Sequence, residues 1–234
     1  MILTAPVSCK YCSAIAPITK LRVQGRFHGG RKNMKQSRRE FLATAAIAVG
    51  GIAVLPYVAR AAGHSGDEFA GGKITVHPVS HASFIMTTPA GTIYCDPVGD
   101  PASYADFPSP DLILITHEHG DHYKPETLAA LVGEKTQIIT NPAVSDMLPA
   151  DLKAKASQVA NGGSTTFGNL GMDAIPAYNM TEERLKFHPQ GRDNGYVLNF
   201  DGFRVYISGD TEDIPEMRGL KDIDLAFVCM NLPF

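Results

Sequence analysis

Residues 112–123 read LILITHEHGDHY. Four apolar residues, two of them β-branched, run into Thr116, and His117, His119, Asp121 and His122 follow at once. Imidazole and carboxylate are the side chains that zinc, manganese and iron accept, and a catalytic site takes about three of them while keeping one position open. At the end of a strand, alternate residues share a side, so His117 and His119 are expected to face the same way. Gly120 is expected to let the backbone bend tightly and bring Asp121 and His122 round. A single histidine in a loop reads as solvated, but His-x-His-x-Asp-His directly behind a buried strand reads as a metal centre.

The elements around this stretch must hold it in place. The run 112–116 is continuously apolar, as a strand buried on both faces would be. Upstream, KITVHPVSHASFIMTT and GTIYCDPV read as strands separated by a PAG turn. Downstream, PETLAALVG has helical spacing with Pro125 suited to its first turn, and IIT followed by NPAVSDML repeats the order strand then helix. STTFGNLGMDAIPAY returns to strands. GYVLNFDGFRVYISGD is a hairpin around Asp201-Gly202, a pair that tolerates positive φ. A short helical piece near IPEMRGL precedes the buried strand DLAFVCMN. Together these predict sheets packed on one another with helices outside, an α/β layered domain over 73–234.

Charge divides the chain. Residues 1–61 carry ten Lys or Arg against Glu40 alone, a net +9, whereas 62–234 carry eleven against twenty-three acids, a net −12. A basic targeting segment ahead of an acidic body explains that split. The acidic body repels phosphate backbones and argues against nucleic acid as a partner. SRREFLATAAIAVGGIAVLPYVARAAG places Arg38 and Arg39 before a mild apolar run and then Ala59-Arg60-Ala61, with small alanines at the two positions a signal peptidase reads. Residues 34–61 resemble a twin-arginine signal peptide, which implies the twin-arginine translocation machinery as a partner and a periplasmic or extracellular destination. The run is Ala/Gly-rich and ends at a cleavage-like site, so no stable membrane span is expected after cleavage. Residues 1–33 read as an over-extended N-terminus, with Met34 at a normal distance from the arginines. Cys9 and Cys12 fall there and lack a second ligand pair, so they carry no zinc reading. Cys95 and Cys229, in strand-like contexts, read as buried thiols rather than a bridge.

Several ordered pieces of 73–234 resemble the metallo-β-lactamase superfamily. THEHGDH is similar to its metal loop, HASFIM, HPQGRDNGYVL, SGDTEDIPEM and DIDLAFVCMN to the branch around ascorbate-6-phosphate lactonase. The resemblance implies an αββα sandwich. It implies that His117 and His119 hold one metal and Asp121 with His122 a second, that Asp210 bridges them, and that Asp96 buttresses the loop. His188 takes the third-histidine position in preference to Asn179. His81 is expected to bind substrate at the site mouth or to serve as a structural hydrogen-bonding residue; His77 reads as core or surface, and His28 and His64 receive no role. The superfamily closes its fold with a further strand and helix and a last metal-binding histidine. This chain stops at CMNLPF, so it is expected to be truncated, with an unpaired sheet edge.

The implied cofactor is a divalent metal, one or two zinc ions, with manganese or iron as alternatives. Such ions lower the pKa of water, stabilise an oxyanion, and leave Asp121 as the catalytic residue that orients the nucleophile or carries a proton away. The expectation is an exported metal-dependent hydrolase acting on a small-molecule ester, lactone or similar substrate. The alternatives are a phosphodiesterase or phospholipase-type hydrolase, and a non-catalytic metal-binding remnant.

Overall fold

The computed structural model describes residues 66–230, together with the backbone of Ala14–Pro17. The expected signal segment 34–61, and with it Cys9, Cys12, His28 and His64, lies outside the described residues.

Strands β1 (Ala14–Pro17), β2 (Asp67–Phe69), β3 (Ile74–Ser80), β4 (Ser83–Thr88), β5 (Gly91–Cys95), β6 (Leu112–Leu114), β7 (Gln137–Thr140), β8 (Ala156–Gln158), β9 (Ser164–Phe167), β10 (Leu170–Ala177), β11 (Asp193–Phe200), β12 (Phe203–Ile207) and β13 (Leu225–Val228) make two sheets. One runs β2-β3-β4-β5-β6-β7-β8, and the other β1-β13-β12-β11-β10-β9. From β5 to β8 the first sheet is parallel. Short helices α1 (Pro125–Leu131), α2 (Pro142–Met147) and α3 (Ala150–Lys153) form its crossovers, and α4 (Pro215–Gly219) joins the parallel pair β12 and β13.

Side-chain alternation explains the layering. Leu112 and Leu114 face the second sheet in a core shared with Tyr196, Leu198, Val205 and Phe227. Ile113 and Ile115 face the other way, onto Leu128, Val144 and Leu152 of the helices. On the far side of the second sheet, Val197, Tyr206 and Ala226 pack with Met217 and Leu220. The layers are therefore α, β, β, α. Strand β6 reads as a continuous apolar run because both its faces are covered.

Three differences from the sequence reading have physical causes. KITVHPVSHASFIMTT is two strands rather than one: β3 and β4 pair antiparallel across a tight turn at His81-Ala82, where His81 sits at φ 47°. Gly120 does not occupy the left-handed region, and a Cβ there would meet nothing nearer than Lys124 Nζ at 4.0 Å, so the metal-loop turn does not require glycine. The outer edge of β13, expected bare, carries β1 in antiparallel register from Ala14 opposite Val228 to Pro17 opposite Leu225. The Asp201-Gly202 hairpin forms as expected, with φ 51° and 93°. Cys95 is buried and Cys229 partly so, and no disulfide joins them.

Candidate metal centre

The loop behind β6 is tied down before any histidine is placed. The Ile115 carbonyl accepts from Tyr196 Oη at 2.8 Å. The Thr116 carbonyl accepts from Asn141 Nδ2 at 2.8 Å and from the Asn194 amide at 3.0 Å. A turn follows in which the amides of His122 and Tyr123 both donate to the His119 carbonyl, at 2.9 and 2.8 Å. That turn is what carries Asp121 and His122 back beside His117.

Asp96 organises the buried side of the loop. Fully enclosed at the end of β5, it adopts φ 41°, a backbone state that costs about 1–3 kcal/mol when a non-glycine residue holds it. Its Oδ1 accepts from the Thr116 amide at 2.8 Å, and its Oδ2 accepts from Thr116 Oγ1 at 2.6 Å and from His122 Nδ1 at 2.8 Å. Because the Thr116 hydroxyl proton goes to Asp96, Thr116 Oγ1 accepts from His117 Nδ1 at 3.0 Å. A neutral His117 then presents a bare Nε2. His188 is held in the same manner, its Nδ1 donating to Asp193 Oδ2 at 2.9 Å. Histidines that grip a metal through one nitrogen almost always give the other N–H to a carboxylate, carbonyl or water.

The result is a nest of imidazoles. Ring centroids stand 4.0 Å apart for His117 and His122, 4.7 Å for His117 and His119, 4.9 Å for His117 and His188, and 4.6 Å for His119 and His188. Donor atoms of His117, His119 and His188 lie within 4.8 Å of one another, as do those of His117, His122 and Asp210, and those of His81, Asp121 and His122. Asp210 reaches both sides, with Oδ1 3.5 Å from His122 Nε2 and Oδ2 3.7 Å from His188 Nε2. It follows Gly209, whose φ of 59° and 2.9 Å approach of a would-be Cβ to the Asn194 carbonyl require glycine.

Electrostatics follow from this packing. Burial pushes His117 far below the ordinary imidazole range, and the neighbouring rings of His122, His188 and His119 add to it. Burial also lowers His119, with His188 beside it. For His122, burial works downward, but the hydrogen bond and charge of Asp96, helped by Asp210 and Asp121, lift it to about 9. Among the described residues, His117 Nε2 and His122 Nε2 are both buried without a hydrogen-bond partner, the nearest acid to His122 Nε2 being Asp210 at 3.5 Å. A buried ring nitrogen without a partner is costly, whether it is the bare acceptor of His117 or the N–H of His122, and imidazole nitrogens converging on a carboxylate are what a divalent cation satisfies once the His122 proton leaves. The donor set fits a metal.

Each sequence candidate has a definite place. His117, His119, Asp121, His122, His188 and Asp210 converge; Asp96 stands behind His122, away from the opening. His81 lies at the edge, its Nε2 3.2 Å from Asp121 Oδ2 and its ring edge-on to His122 at 5.3 Å. Asn179 borders the cleft, but its side-chain amide donates to the Arg184 carbonyl at 3.1 Å, leaving the third imidazole position to His188. His77 packs against Phe107, away from the site. The cleft in front of the centre holds about 320 Å³, with His119, Asp121, His188 and Asp210 on its floor and Arg184 and Phe187 among its walls. Sequence reasoning passed over Thr116, Glu118, Arg192 and Asp193. The available signal was Arg-Asp at the start of a strand, just ahead of its apolar run, where a buried acid needs a partner.

Residues 91–232 match the family model described as a beta-lactamase superfamily domain. A UPF0173 metal-dependent hydrolase of Anaeromyxobacter dehalogenans is 28% identical over 184 residues, 68% of this chain and 65% of the relative. The chain thus spans about two thirds of the length of such relatives. A UPF0173 metal-dependent hydrolase of Ligilactobacillus salivarius is 31% identical over 163 residues, 67% of this chain and 71% of that one. Among solved structures, a putative metal-dependent hydrolase of Parabacteroides distasonis superposes with a TM-score of 0.63 at 43% identity, covering 72% of this chain and 75% of that chain. The diiron β-hydroxylase CmlA of Streptomyces venezuelae, at 21% identity, TM-score 0.50 and coverage of 62% and 31%, shares the fold alone. Over most of its described length, then, the chain belongs to the beta-lactamase superfamily.

Proposed function

We propose that this domain is the catalytic part of an exported metal-dependent hydrolase that acts on a small ester, lactone or similar substrate. The observation that carries the reading is the convergence of His117 Nε2 and His122 Nε2 on Asp210, both nitrogens buried without a hydrogen-bond partner among the described residues. His117, His119 and His188 would hold one ion, and Asp121, His122 and Asp210 a second, with zinc the first candidate and manganese or iron the others. A bound divalent ion supplies Lewis acidity and makes water an effective nucleophile near neutral pH.

The protein's own groups do the rest. Asp121 has one oxygen engaged by His81 and a largely exposed side chain, so it can orient a water or take a proton at Oδ1. Arg184 and Asn179 line the cleft and offer polar contacts to a substrate. Asp96 and Asp193 keep the rings of His122 and His188 from turning. The −12 body fits a small molecule better than nucleic acid. A phosphodiesterase or phospholipase-type reading draws support from Met180, Leu185 and Phe187, large apolar side chains left exposed in the segment that borders the cleft.

Metal analysis of protein purified without chelators, paired with a screen of esters, lactones and phosphodiesters, tests the proposal. Stoichiometric metal and turnover, both lost in His119→Ala, are expected. Metal without turnover on any class identifies a metal-binding remnant, and protein that takes up no metal removes the hydrolase reading altogether. Export is tested separately by fusing residues 34–61 to a folded reporter. Its translocation should stop when Arg38 and Arg39 both become Lys.

A further inference from the structure

We propose that Arg192 is the positioning residue that fixes where His188 stands relative to His117 and His119. One planar guanidinium touches three different parts of the centre's frame. Its Nη1 pairs with Glu118 Oε1 at 2.7 Å, and Glu118 is the residue between His117 and His119. Its Nε and Nη2 donate to the two oxygens of Asp193 at 2.7 and 3.0 Å. Its Nη2 also donates to the carbonyl of Phe187, the residue before His188, at 2.6 Å. Asp193 in turn accepts from His188 Nδ1 at 2.9 Å.

The loop after β6 and the segment leading into β11 are far apart in sequence, and the Glu118–Arg192 ion pair joins them at the histidines. The carboxylates make this junction consequential. Asp193 is fully buried, and Glu118 is mostly so, with Oε2 enclosed and without a hydrogen-bond partner among the described residues. Without the guanidinium both charges would be left in a low-dielectric frame, and each would drag its attached segment toward water. Lysine cannot replace it: an ammonium is a point charge and does not span a bidentate carboxylate, a second carboxylate and a carbonyl at once.

The inference needs only the cation-binding part of the hydrolase reading. Chelator-stripped protein is titrated with Co²⁺ alone, reading the visible ligand-field spectrum and the affinity in competition with a chromophoric chelator. Thermal melting of the metal-free forms shows how much is general destabilisation. Arg192→Ala should bind up to about 10-fold more weakly, at the lower end of the roughly 10- to 100-fold lost when a ligand's own outer partner is removed, because Arg192 acts on His188 through Asp193. Its spectrum should be altered, because the His188 ring no longer meets the ion at the same angle. Arg192→Lys should fall between it and the wild type. Wild-type affinity and an unchanged spectrum in Arg192→Ala overturn the proposal, and if that variant does not fold, the same result in Arg192→Lys overturns it. A wild-type protein that takes up no Co²⁺ overturns this inference and the hydrolase reading together, whereas cobalt bound identically by all variants overturns this inference alone.

Discussion

His188 Nδ1 donates to Asp193 Oδ2 at 2.9 Å, and Asp193 is fully buried at the head of β11. The bond fixes both the tautomer and the tilt of the ring, so Nε2 faces Asp210. Burial alone would raise the Asp193 carboxyl, but His188 and Arg192 more than offset it and hold it below the usual range. Asp193→Asn keeps an acceptor but removes the charge that makes the imidazole a better donor to a cation. Metal affinity should fall by about tenfold or more, read by chelator competition. An unchanged affinity would assign Asp193 to the fold alone.

Asp96 does more for stability than for the opening of the site. Asp96→Ala strands the Thr116 amide and His122 Nδ1 in a sealed interior. Removing one partner of such a buried network costs about 3–5 kcal/mol. Asp96→Asn should lose less, because asparagine accepts the left-handed backbone at φ 41° and can still serve Thr116. Urea denaturation of the metal-free proteins ranks the three. Equal stability of the alanine and asparagine variants would show that neither the backbone tolerance of asparagine nor its hydrogen bond to Thr116 counts here, and would overturn the ranking.

The sandwich was legible because its strongest signals are local. β6 is apolar on both faces, α1 and α2 begin with proline, and Asp201-Gly202 sits between alternating strands. The convergence of residues 117–122 was equally readable, since a strand end and a four-residue turn settle it. Arg192, Asp193 and Glu118 were hidden for the opposite reason. Their roles arise from a pairing between the loop after β6 and the head of β11, and no local pattern reports a contact of that range. The His81 turn was missed because valine, isoleucine and phenylalanine on both sides mask a break that contains no glycine, proline or asparagine at its centre.

The pH dependence of the metal-free protein should reveal two opposed histidines. His122 is raised to about 9 in the fold, above the ordinary value near ~6.5. Its contribution to stability is therefore complete below about pH 6.5 and is lost as pH rises through about 9. His117 is lowered by burial, so below about 6.5 the unfolded chain takes up a proton that the folded one refuses, and stability falls with acid. Melting temperature in chelator should peak near pH ~6.5 and decline on both sides. Zinc should flatten the alkaline limb, because binding at Nε2 displaces the His122 proton. A melting temperature level to pH ~9 in chelator would mean that His122 is neutral in the fold.

His81 separates strain from function. It is a non-glycine residue at φ 47°, in the tight turn between β3 and β4, with Nε2 3.2 Å from Asp121 Oδ2. Holding a β-carbon there costs about 1 kcal/mol or more, which glycine would not incur. Glycine or asparagine would hold this turn at less cost, so the imidazole stands here at a cost in folding. His81→Gly should melt at the same temperature or a few degrees higher, while freeing Asp121 to swing into solvent. On the role proposed for Asp121, turnover should then drop by about tenfold or more through kcat, as a proton-handling group would cause on losing its orientation. His81→Asn tolerates the backbone and can donate from Nδ2, but its side chain is too short to cover the distance that Nε2 spans, so it should resemble glycine in rate. If His81→Gly instead lowers the melting temperature sharply with kcat intact, the ring is there to pack against His122, and Asp121 needs no help in holding its place.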